Sequence, residues 1–493
     1  MNSFDIPSLI DTIQQAQAVF ATPAVSIAVI REREIIFAGG FGTRTLGAQE
    51  PVDENTSYAI ASMSKSTVAA ALAMLHERNA FHWEDPVRKF LPDFRLMDDF
   101  ASKEIRVIDL LLHRCGLNSE SAGTLWYGSD YSREEVLRRL RFLRPVSSFR
   151  STVAYQNVCF LAAGMIIQAI SGQSWDDFVT ENLFAPLNMT RTFPTLAALQ
   201  AAAIDNIATP HAQIDNQLAI IPYRNHDNVG PAASVHSTAL DLAYYLLMYL
   251  NKGTAGDHHL LSDESIAFLH RPHISYDAGP ASSYPHPRLA PRFPAYGLGW
   301  QVHDYCNAVS VGHSGGVDGM RCRMELFPEL GCGAVVLTNS ENSRAYSSIL
   351  HTALDMLLGV ESVDWIAAWE KLPKKDLPTE PEKVPDTLPS LPLESYAGVF
   401  RDAAYGDITV CLENRSLVLR FTHTPAFTAD LEHWHYNTFR LVWRDRYIPR
   451  GLITFSLDSA GKVDAFHLDQ PRLLDVDFTE LEERIRKVSE IDS

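Results

Sequence analysis

The chain has 493 residues, of which 46% are hydrophobic and 21% are charged, a composition typical of a globular protein with two or three domains. Its formal net charge of −18 argues against nonspecific binding to nucleic acid or to an anionic membrane surface. The N-terminal segment has no basic region followed by a long apolar core, and no apolar stretch is long enough to span a bilayer, so we expect a cytoplasmic protein without a membrane partner.

The first predicted elements are a β-hairpin and a series of helices. The segment "AVSIAVIREREIIFAGGFGTRT" (24–45) contains two β-branched runs on either side of a charged turn. Helical sequence with loops then extends from about residue 68 to residue 250. Its clearest part is "NVCFLAAGMIIQAISGQSWDDFVTENLFAPL" (157–187), which predicts a buried helix that ends at Gly172 and a second, amphipathic helix after it.

Strand signals return after a long proline-rich loop at 271–295. They occur in "YGLGWQVHDY", "AVSVGHSGG", "RCRMELFP" and "GAVVLTN", between residues 296 and 339. Strands at both ends of a mainly helical segment predict an α/β (α+β) fold. Its sheet is expected to pair the two ends of the domain.

A second domain is predicted beyond a proline-rich linker. Six prolines lie among charged residues between 371 and 393, which is typical of a semi-rigid linker. Short alternating runs separated by turns follow from 394 to about 478 and predict a small antiparallel β-barrel. We therefore divide the chain into a domain at 1–370, a linker at 371–393 and a barrel domain at 394–493 that ends in a short helix.

Candidate nucleophiles begin with "SMSK", where Ser62 and Lys65 form an S-x-x-K pair. Residues three apart share one helix face, so the amine can reach the hydroxyl of Ser62, whereas Ser64 points elsewhere. A serine hydroxyl is a weak nucleophile until a base takes its proton, and a desolvated lysine can serve as that base. The pair by itself occurs by chance in many long chains, so it needs support from other residues.

A rival nucleophile is Ser314 in "GHSGG", which matches the G-x-S-x-G nucleophile elbow. That elbow requires a strand before the serine and a helix after it. Here a strand precedes Ser314, but the sequence that follows alternates with period two and predicts a hairpin. The context therefore argues against the elbow.

A third group is Tyr155 and Asn157 in "VAYQNVCF". A tyrosine hydroxyl can relay protons, and an asparagine amide can orient a lysine or bind a substrate amide. The alternative interpretation is a buried aromatic residue followed by an ordinary helix cap.

Together these motifs resemble the serine β-lactamase and penicillin-binding-protein superfamily, and within it the class C β-lactamase-related esterase and transesterase branch. The three elements of that superfamily occur in order as Ser62-Met63-Ser64-Lys65, Tyr155-Gln156-Asn157 and His313-Ser314-Gly315. Flanking segments also match, among them "IRVIDLLLHRCGL" (105–117), "STALDLAYYL" (237–246) and "YGLGW" (296–300). The resemblance covers about residues 10–360. It implies a β-lactamase-like transpeptidase fold of the α/β (α+β) class, with an antiparallel sheet flanked by helices and a helical subdomain. The barrel resembles the lipocalin-like domain appended to some of these hydrolases.

The resemblance implies a role for each residue. Ser62 attacks an acyl carbonyl, and Lys65 with Tyr155 accepts and passes on its proton. Asn157 contacts the acyl side chain or Lys65. His313 is expected to form a hydrogen bond near Tyr155 or to a substrate oxygen. Gly315 and Gly316 belong to the strand that is expected to supply an oxyanion donor.

The sequence departs from the superfamily pattern at three places, of which the first is expected to be a local packing change. "HRCGL" replaces the usual "HTSGL", Ala232-Ala233 replaces a Gly-Gly pair, and His313 replaces the lysine of true β-lactamases. The last favours an esterase, amidase or transacylase, and the Ala-Ala pair leaves the substrate open. A hydrophobic cleft closed by the 271–295 loop, with Trp126 and Tyr127 nearby, would suit a bulky apolar ester.

The expected function is therefore hydrolysis or acyl transfer on an ester, thioester or amide of a small molecule, in secondary-metabolite biosynthesis. The expected partners are a small-molecule acyl substrate and, for transfer, a thioester-bearing carrier or an alcohol. The oligomeric state stays open. The alternatives are a peptidase or amidase of the D-amino-acid type and a non-catalytic binding protein of the same fold.

No metal or organic cofactor is expected. The two-step acyl-enzyme scheme requires none. His433 and His435 on the barrel would provide only two ligands, so packing explains them better than a metal site. The six cysteines are scattered without a CxxC pair, which is typical of buried free thiols.

Overall fold

The computed structural model describes residues 4–119, 121–373, 380–474, 476–481 and 485–488. They form two compact units. The first unit combines Met1–Asp93, Lys103–Gly116 and Ser147–Lys374, and the second combines Phe94–Ser102, Leu117–Val146 and Lys375–Ser493.

The α-helices of the described residues are short except for five of 12 to 16 residues. They are Ile6–Val19, Ser64–Glu77, Asp99–Glu104, Val107–Leu111, Gly123–Trp126, Arg133–Arg139, Asn157–Ser171, Trp175–Val179, Leu196–Ala201, Gly230–Ala233, Ala239–Leu250, Asp263–Leu269, Ser343–Leu358 and Trp365–Glu370. The predicted pair at 157–187 is confirmed. Its first helix ends where Gly172 adopts the left-handed conformation with φ of 75°, and Ser174 caps the second helix through Asp177 N–H.

An eight-stranded antiparallel sheet organises the first unit. Its strands, in spatial order, are Glu34–Gly42, Ala24–Arg31, Cys332–Thr338, Met320–Phe327, Ala308–Val317, Gln301–Tyr305, Ala295–Tyr296 and Ile274–Ser275. The predicted pairing of the two ends is confirmed, because Ala24–Arg31 pairs with Cys332–Thr338. The predicted hairpin is confirmed as well, and its two turn residues, Glu32 and Arg33, both have positive φ, as the twist of a tight hairpin requires.

Each face of this sheet is covered differently. The helices Ile6–Val19 and Ser343–Leu358 bury one face with a cluster that includes Ile27 and Val336. The other face carries Ser26, whose Oγ lies 3.0 Å from the hydroxyl of Tyr58, just before the turn that leads into the Ser64–Glu77 helix. This assignment matters for the site because strand residues alternate between the two faces.

The 271–295 segment contributes to the sheet at both ends. Ile274–Ser275 pairs with Ala295–Tyr296, and short 3₁₀ turns at Ala281–Ser283 and Pro287–Leu289 lie between them. Smaller strand pairs of the first unit are Tyr58–Ala59 with His236–Ser237, His211–Ile214 with Gln217–Ile220, and Thr254–Ala255 with His258–His259.

The second unit contains a closed eight-stranded antiparallel barrel, which confirms the predicted small barrel. Its strands are Gly398–Asp402, Gly406–Glu413, Ser416–Phe421, Thr424–His435, Thr438–Trp443, Gly451–Leu457, Val463–Asp469 and Ile485–Lys487. Closure comes from pairing of the first strand with the last, at Phe400 with Lys487 and at Arg401 with Arg486. The interior is aromatic, and Phe400, Phe455 and Phe466 are all buried there.

The end of the chain differs from the prediction. The sequence predicts a short helix there, but Ile485–Lys487 is the closing strand of the barrel. Its residues alternate as in a strand, with Ile485 buried and Arg486 exposed. Residues 482–484 and 489–493 of that prediction lie outside the described residues, as do 374–379 of the predicted linker. Residues 380–393 form hydrogen bonds to the barrel, including Ser390 N–H to Asn437 Oδ1 at 3.1 Å.

Within the described residues, no single helix has the length and apolar composition needed to cross a membrane. The pair Asn157–Ser171 and Trp175–Phe184, bent by 79°, meets those two criteria only when its members are taken together.

Candidate active site

Ser62 lies in a 3₁₀ turn, Ala61–Met63, that leads directly into the Ser64–Glu77 helix. Ala61 has a φ of 50°, a left-handed conformation that is costly for a residue with a side chain. Ser64 holds this turn in place, because its Oγ–H donates to Ala61 O at 2.6 Å and its Oγ accepts from Val235 N–H at 3.1 Å. Ser64 is therefore a structural residue between Ser62 and Lys65.

Lys65 is fully buried, and its amine is the centre of the site. Its Nζ donates to Ser62 Oγ at 3.1 Å, to Asn157 Oδ1 at 2.6 Å and to the main-chain O of Ala232 at 3.0 Å. Three acceptors match the three N–H donors of an ammonium group, so the amine is held in one position beside the Ser62 hydroxyl.

The Ala232 contact could not be found from side-chain patterns, because the acceptor is a main-chain oxygen. The only signal was the departure at Ala232-Ala233 in the "GPAAS" segment. These residues end a short helix, Gly230–Ala233, that is buried next to the Lys65 amine.

Tyr155 and Asn157 approach Lys65 from a second element. The Lys65 Nζ lies 4.5 Å from the centroid of the Tyr155 ring, and Asn157 is the first residue of the Asn157–Ser171 helix. The structure thus brings together four of the predicted residues, Ser62, Lys65, Tyr155 and Asn157, from two chain segments about ninety residues apart.

His113 is a residue of this site that the sequence analysis did not single out. Its ring packs on Tyr155 at 4.5 Å between centroids and against Tyr296 at 4.8 Å. Its Nδ1 accepts from Gln156 N–H at 2.9 Å, so the ring proton lies on Nε2. Burial first, and then the charge of Lys65, lower the pKa of His113 well below its usual value, so the ring is neutral. The available signal was its place in the "HRCGL" segment.

His313 is also buried and neutral. Its Nε2 accepts from Tyr296 O–H at 2.9 Å, and its Nδ1–H donates to Ser314 O at 2.6 Å. Burial and then the nearby Lys65 charge lower the pKa of His313 to about 3. Its ring centroid lies 6.2 Å from that of Tyr155. The two hydrogen bonds of the His313 ring go to Tyr296 and Ser314.

Gly315 allows the Ser62 turn to touch the sheet. A Cβ at this position would lie 2.1 Å from Ile60 O and 2.5 Å from Cys322 Sγ, which is too close for any side chain. Cys322 Sγ–H in turn donates to Ile60 O at 3.3 Å. Gly315 therefore marks the face of the sheet on which Ser62 lies.

Gly316 lies on an open strand edge. Pairing of Ala308–Val317 with Gln301–Tyr305 ends at Gly312, whereas pairing with Met320–Phe327 continues to Val317. Because backbone amides alternate between the two edges of a strand, some amides of residues 313–317 point toward the open edge. This is the location expected for an oxyanion donor.

Ser314 lies on the opposite face from Ser62. It is the cross-strand partner of Arg323, which is the partner of Val336, a member of the cluster under the Ile6–Val19 and Ser343–Leu358 helices. The residues after it form another strand, Met320–Phe327, with no helix between. The predicted failure of the elbow context is confirmed.

Two further groups of predicted residues belong to the second unit. Trp126 and Tyr127 are buried there, and the Tyr127 ring stacks on Phe427 at 5.6 Å. His433 Nε2–H donates to Tyr436 O at 3.0 Å, and His435 Nδ1 accepts from Val384 N–H at 3.5 Å. Among the described residues, no three or more His, Cys, Asp or Glu side chains form a group suited to a metal ion.

The site and the fold agree with comparisons to known families. A family model described as "Beta-lactamase" matches residues 9–355. The chain belongs to the β-lactamase family. A second model, described as a domain of unknown function (DUF3471), matches residues 382–487 of this β-lactamase-family protein, the part that contains all eight barrel strands.

Named relatives cover large parts of the chain. The unguisins hydrolase ungD of Aspergillus violaceofuscus (strain CBS 115571) is 26% identical over 443 residues, or 84% of this chain and 78% of that protein. A putative D-alanyl-D-alanine carboxypeptidase of Escherichia coli (strain K12) is 24% identical over 283 residues, or 50% of this chain and 64% of that protein. The structure of the octameric penicillin-binding protein homologue from Pyrococcus abyssi has a TM-score of 0.62 at 22% identity, covering 95% of this chain and 99% of that chain, and it supports the fold.

Proposed function

We propose that this β-lactamase-family protein is a serine hydrolase that forms an acyl-enzyme on Ser62. The observation that carries the proposal is the buried Lys65 amine 3.1 Å from Ser62 Oγ, fixed on its other side by Asn157 and Ala232. A base within hydrogen-bond reach of a serine hydroxyl is the requirement for nucleophilic catalysis.

In the proposed first step the base is the neutral amine of Lys65 or the phenolate of Tyr155. Ser62 Oγ attacks the acyl carbonyl, and its proton passes to that base. The tetrahedral oxyanion accepts hydrogen bonds from the backbone N–H groups of Ser62 and Gly316, and losing one such donor typically costs about 3–4 kcal/mol. The proton then moves to the leaving group as its bond to the carbonyl carbon breaks. This leaves an ester between Ser62 and the acyl group.

In the second step, water attacks this ester, donates its proton to the same base and releases the carboxylic acid. The base returns the proton to Ser62 Oγ. Water is the proposed acceptor because the relatives named above are a hydrolase and a putative carboxypeptidase. The proposed substrate is an ester, thioester or amide of a small molecule, and a role in secondary-metabolite biosynthesis remains part of the proposal.

Neutral histidines support this scheme. Because the pKa of each ring is lowered, to about 3 for His313, both histidines are weak proton acceptors, and proton exchange with Ser62 is assigned to Lys65 and Tyr155. A neutral His313 also differs from the cationic lysine of true β-lactamases, which supports an esterase or amidase over a β-lactamase.

The test is intact-mass measurement and peptide mapping after brief exposure to p-nitrophenyl esters and to a fluorophosphonate. Wild type, Ser62→Ala and Ser314→Ala are compared. An adduct on Ser62 that disappears only in Ser62→Ala is expected. An adduct on Ser314 would overturn the proposal, and the absence of any adduct would favour a non-catalytic binding protein.

The acceptor and the substrate class are tested on the same enzyme. Turnover in water is compared with turnover in the presence of added alcohols, and formation of a new ester faster than the free acid would indicate acyl transfer. A panel of peptides that end in D-amino acids tests the peptidase alternative.

A further inference from the structure

A narrow cleft adjoins the proposed site on the side of the Ala59–His236 pairing. The space open to the centre of a water-sized group is about 10 Å³, enough for one small polar group. Its walls include Ala59, Tyr223, Ala233, His236 and Val317. No step of the proposed mechanism uses it.

His236, which lines this cleft, carries a buried acceptor. Its Nδ1–H donates to Ser234 O at 2.9 Å, which fixes the tautomer and leaves a lone pair on Nε2. The residue is 4% exposed, and within the described part of the chain its Nε2 has no hydrogen-bond partner. Burial lowers the pKa of His236 to about 4, so the ring is neutral near pH 7.

A buried acceptor without a donor is costly, so its presence beside a reaction site needs an explanation. Three connections place the cleft next to the proposed chemistry. Ala59 pairs directly with His236 and is three residues before Ser62. Ala233 follows Ala232, the main-chain acceptor of Lys65, and Val317 follows Gly316.

The charges at the cleft indicate what it does not bind. Arg224 and Asp318, which also line it, form an ion pair at 3.2 Å with each other. The guanidinium is thus already engaged by a carboxylate, and the Nε2 lone pair of His236 repels the oxygens of an anion. A small uncharged group that carries an N–H or O–H donor fits these features.

We propose that this cleft is a specificity subsite in which His236 Nε2 accepts a hydrogen bond from an amide N–H or a hydroxyl on the acyl part of the substrate. The inference rests on the proposed function because it assigns part of that substrate. It adds that the preferred acyl group carries a donor near the scissile carbonyl, which a simple apolar acyl group lacks.

The test compares substrates that differ only in the donor. For the amide arm, the p-nitrophenyl ester of N-acetylglycine is compared with that of acetoxyacetate, which replaces the N–H by oxygen. For the hydroxyl arm, the 3-hydroxybutanoate ester is compared with the 3-methylbutanoate ester. Wild type is expected to favour the donor in one arm by about tenfold in kcat/KM, and the arm that responds identifies the source of the donor.

Variants of His236 assign the effect to the lone pair. In His236→Phe the preference is expected to fall to within twofold of unity, whereas His236→Gln, which retains an acceptor, keeps part of it. His270→Phe makes the same change at a histidine outside the cleft and is expected to keep the wild-type preference. Thermal unfolding of each variant checks that it is folded.

Calorimetry separates this inference from the proposed function. The same ester pairs are titrated into Ser62→Ala and into the Ser62→Ala, His236→Phe double variant, where no acylation occurs on Ser62. The subsite is supported if the donor ester binds more tightly than its donor-free partner to Ser62→Ala but not to the double variant, even if wild type shows no acyl adduct. A preference near unity in wild type, or one unchanged in folded His236→Phe, would overturn it.

Discussion

The substitution Gly315→Ala tests whether the position of Ser62 depends on the absence of a side chain in the neighbouring strand. The added Cβ would lie 2.1 Å from Ile60 O, where ordinary van der Waals contact begins at 3.4 Å. The strand and the Ser62 turn must therefore move apart by about 1 Å, the size of displacement that lowers catalytic rates about 100-fold. Cys322 Sγ, 2.5 Å from the same Cβ, closes the other direction.

We expect kcat/KM for a p-nitrophenyl ester, and the rate of fluorophosphonate labelling of Ser62, to fall about 100-fold in Gly315→Ala. Overpacking of this contact is expected to lower the free energy of unfolding by about 1–3 kcal/mol, measured by urea denaturation. The enzyme remains folded at 25 °C because a domain of this size typically has a larger stability than that loss.

Gly39→Ala is the matched control. It makes the same change in another strand of the sheet, where the nearest contact of the added Cβ would be the Phe37 ring at 3.4 Å. Its labelling rate is expected to equal that of wild type. If folded Gly315→Ala labels within threefold of wild type, the contact with Ile60 does not position Ser62 and the reasoning is wrong.

Three further predictions concern the base, the buried imidazole and the barrel. Lys65→Met keeps the volume but removes the amine, so the labelling rate of Ser62 is expected to fall by about 10²–10⁴-fold in stopped-flow measurements, and labelling at the wild-type rate would contradict the base assignment. The folded-state pKa of His313, about 3, lies below its unfolded value near 6.5, so the unfolded chain binds the extra proton first on acidification. Wild type is therefore expected to lose stability relative to His313→Gln as the pH falls from 6.5 towards 3, by at most about 5 kcal/mol, and a pH-independent difference in urea denaturation would exclude this. Glu480 accepts Tyr405 O–H at 2.6 Å, and Glu480→Ala is expected to destabilise the second unit by about 1–3 kcal/mol in thermal unfolding, with an unchanged transition counting against the contact.

The sequence was informative wherever the determining geometry is local. A three-residue spacing on one helix puts Ser62 and Lys65 on one face, so their contact followed from the S-x-x-K motif. Period-two alternation and turn residues marked the central strands, and the order of strands and helices gave the fold class. The short alternating runs between 394 and about 478 indicated the barrel in the same way. The closing strand at Ile485–Lys487 was missed because three residues carry too little periodicity.

Contacts between distant segments were decided only by the tertiary structure. The separation of Ser314 from Ser62 depends on which face of the sheet each residue takes, and a shift of one residue in register would reverse it. The third acceptor of Lys65 is the main-chain oxygen of Ala232, a group that every residue carries, so no residue type could identify it. His236 was one histidine among 18 in the sequence. Pairing with Ala59 is what joins it to the strand just before the Ser62 turn, and that pairing connects segments nearly 180 residues apart.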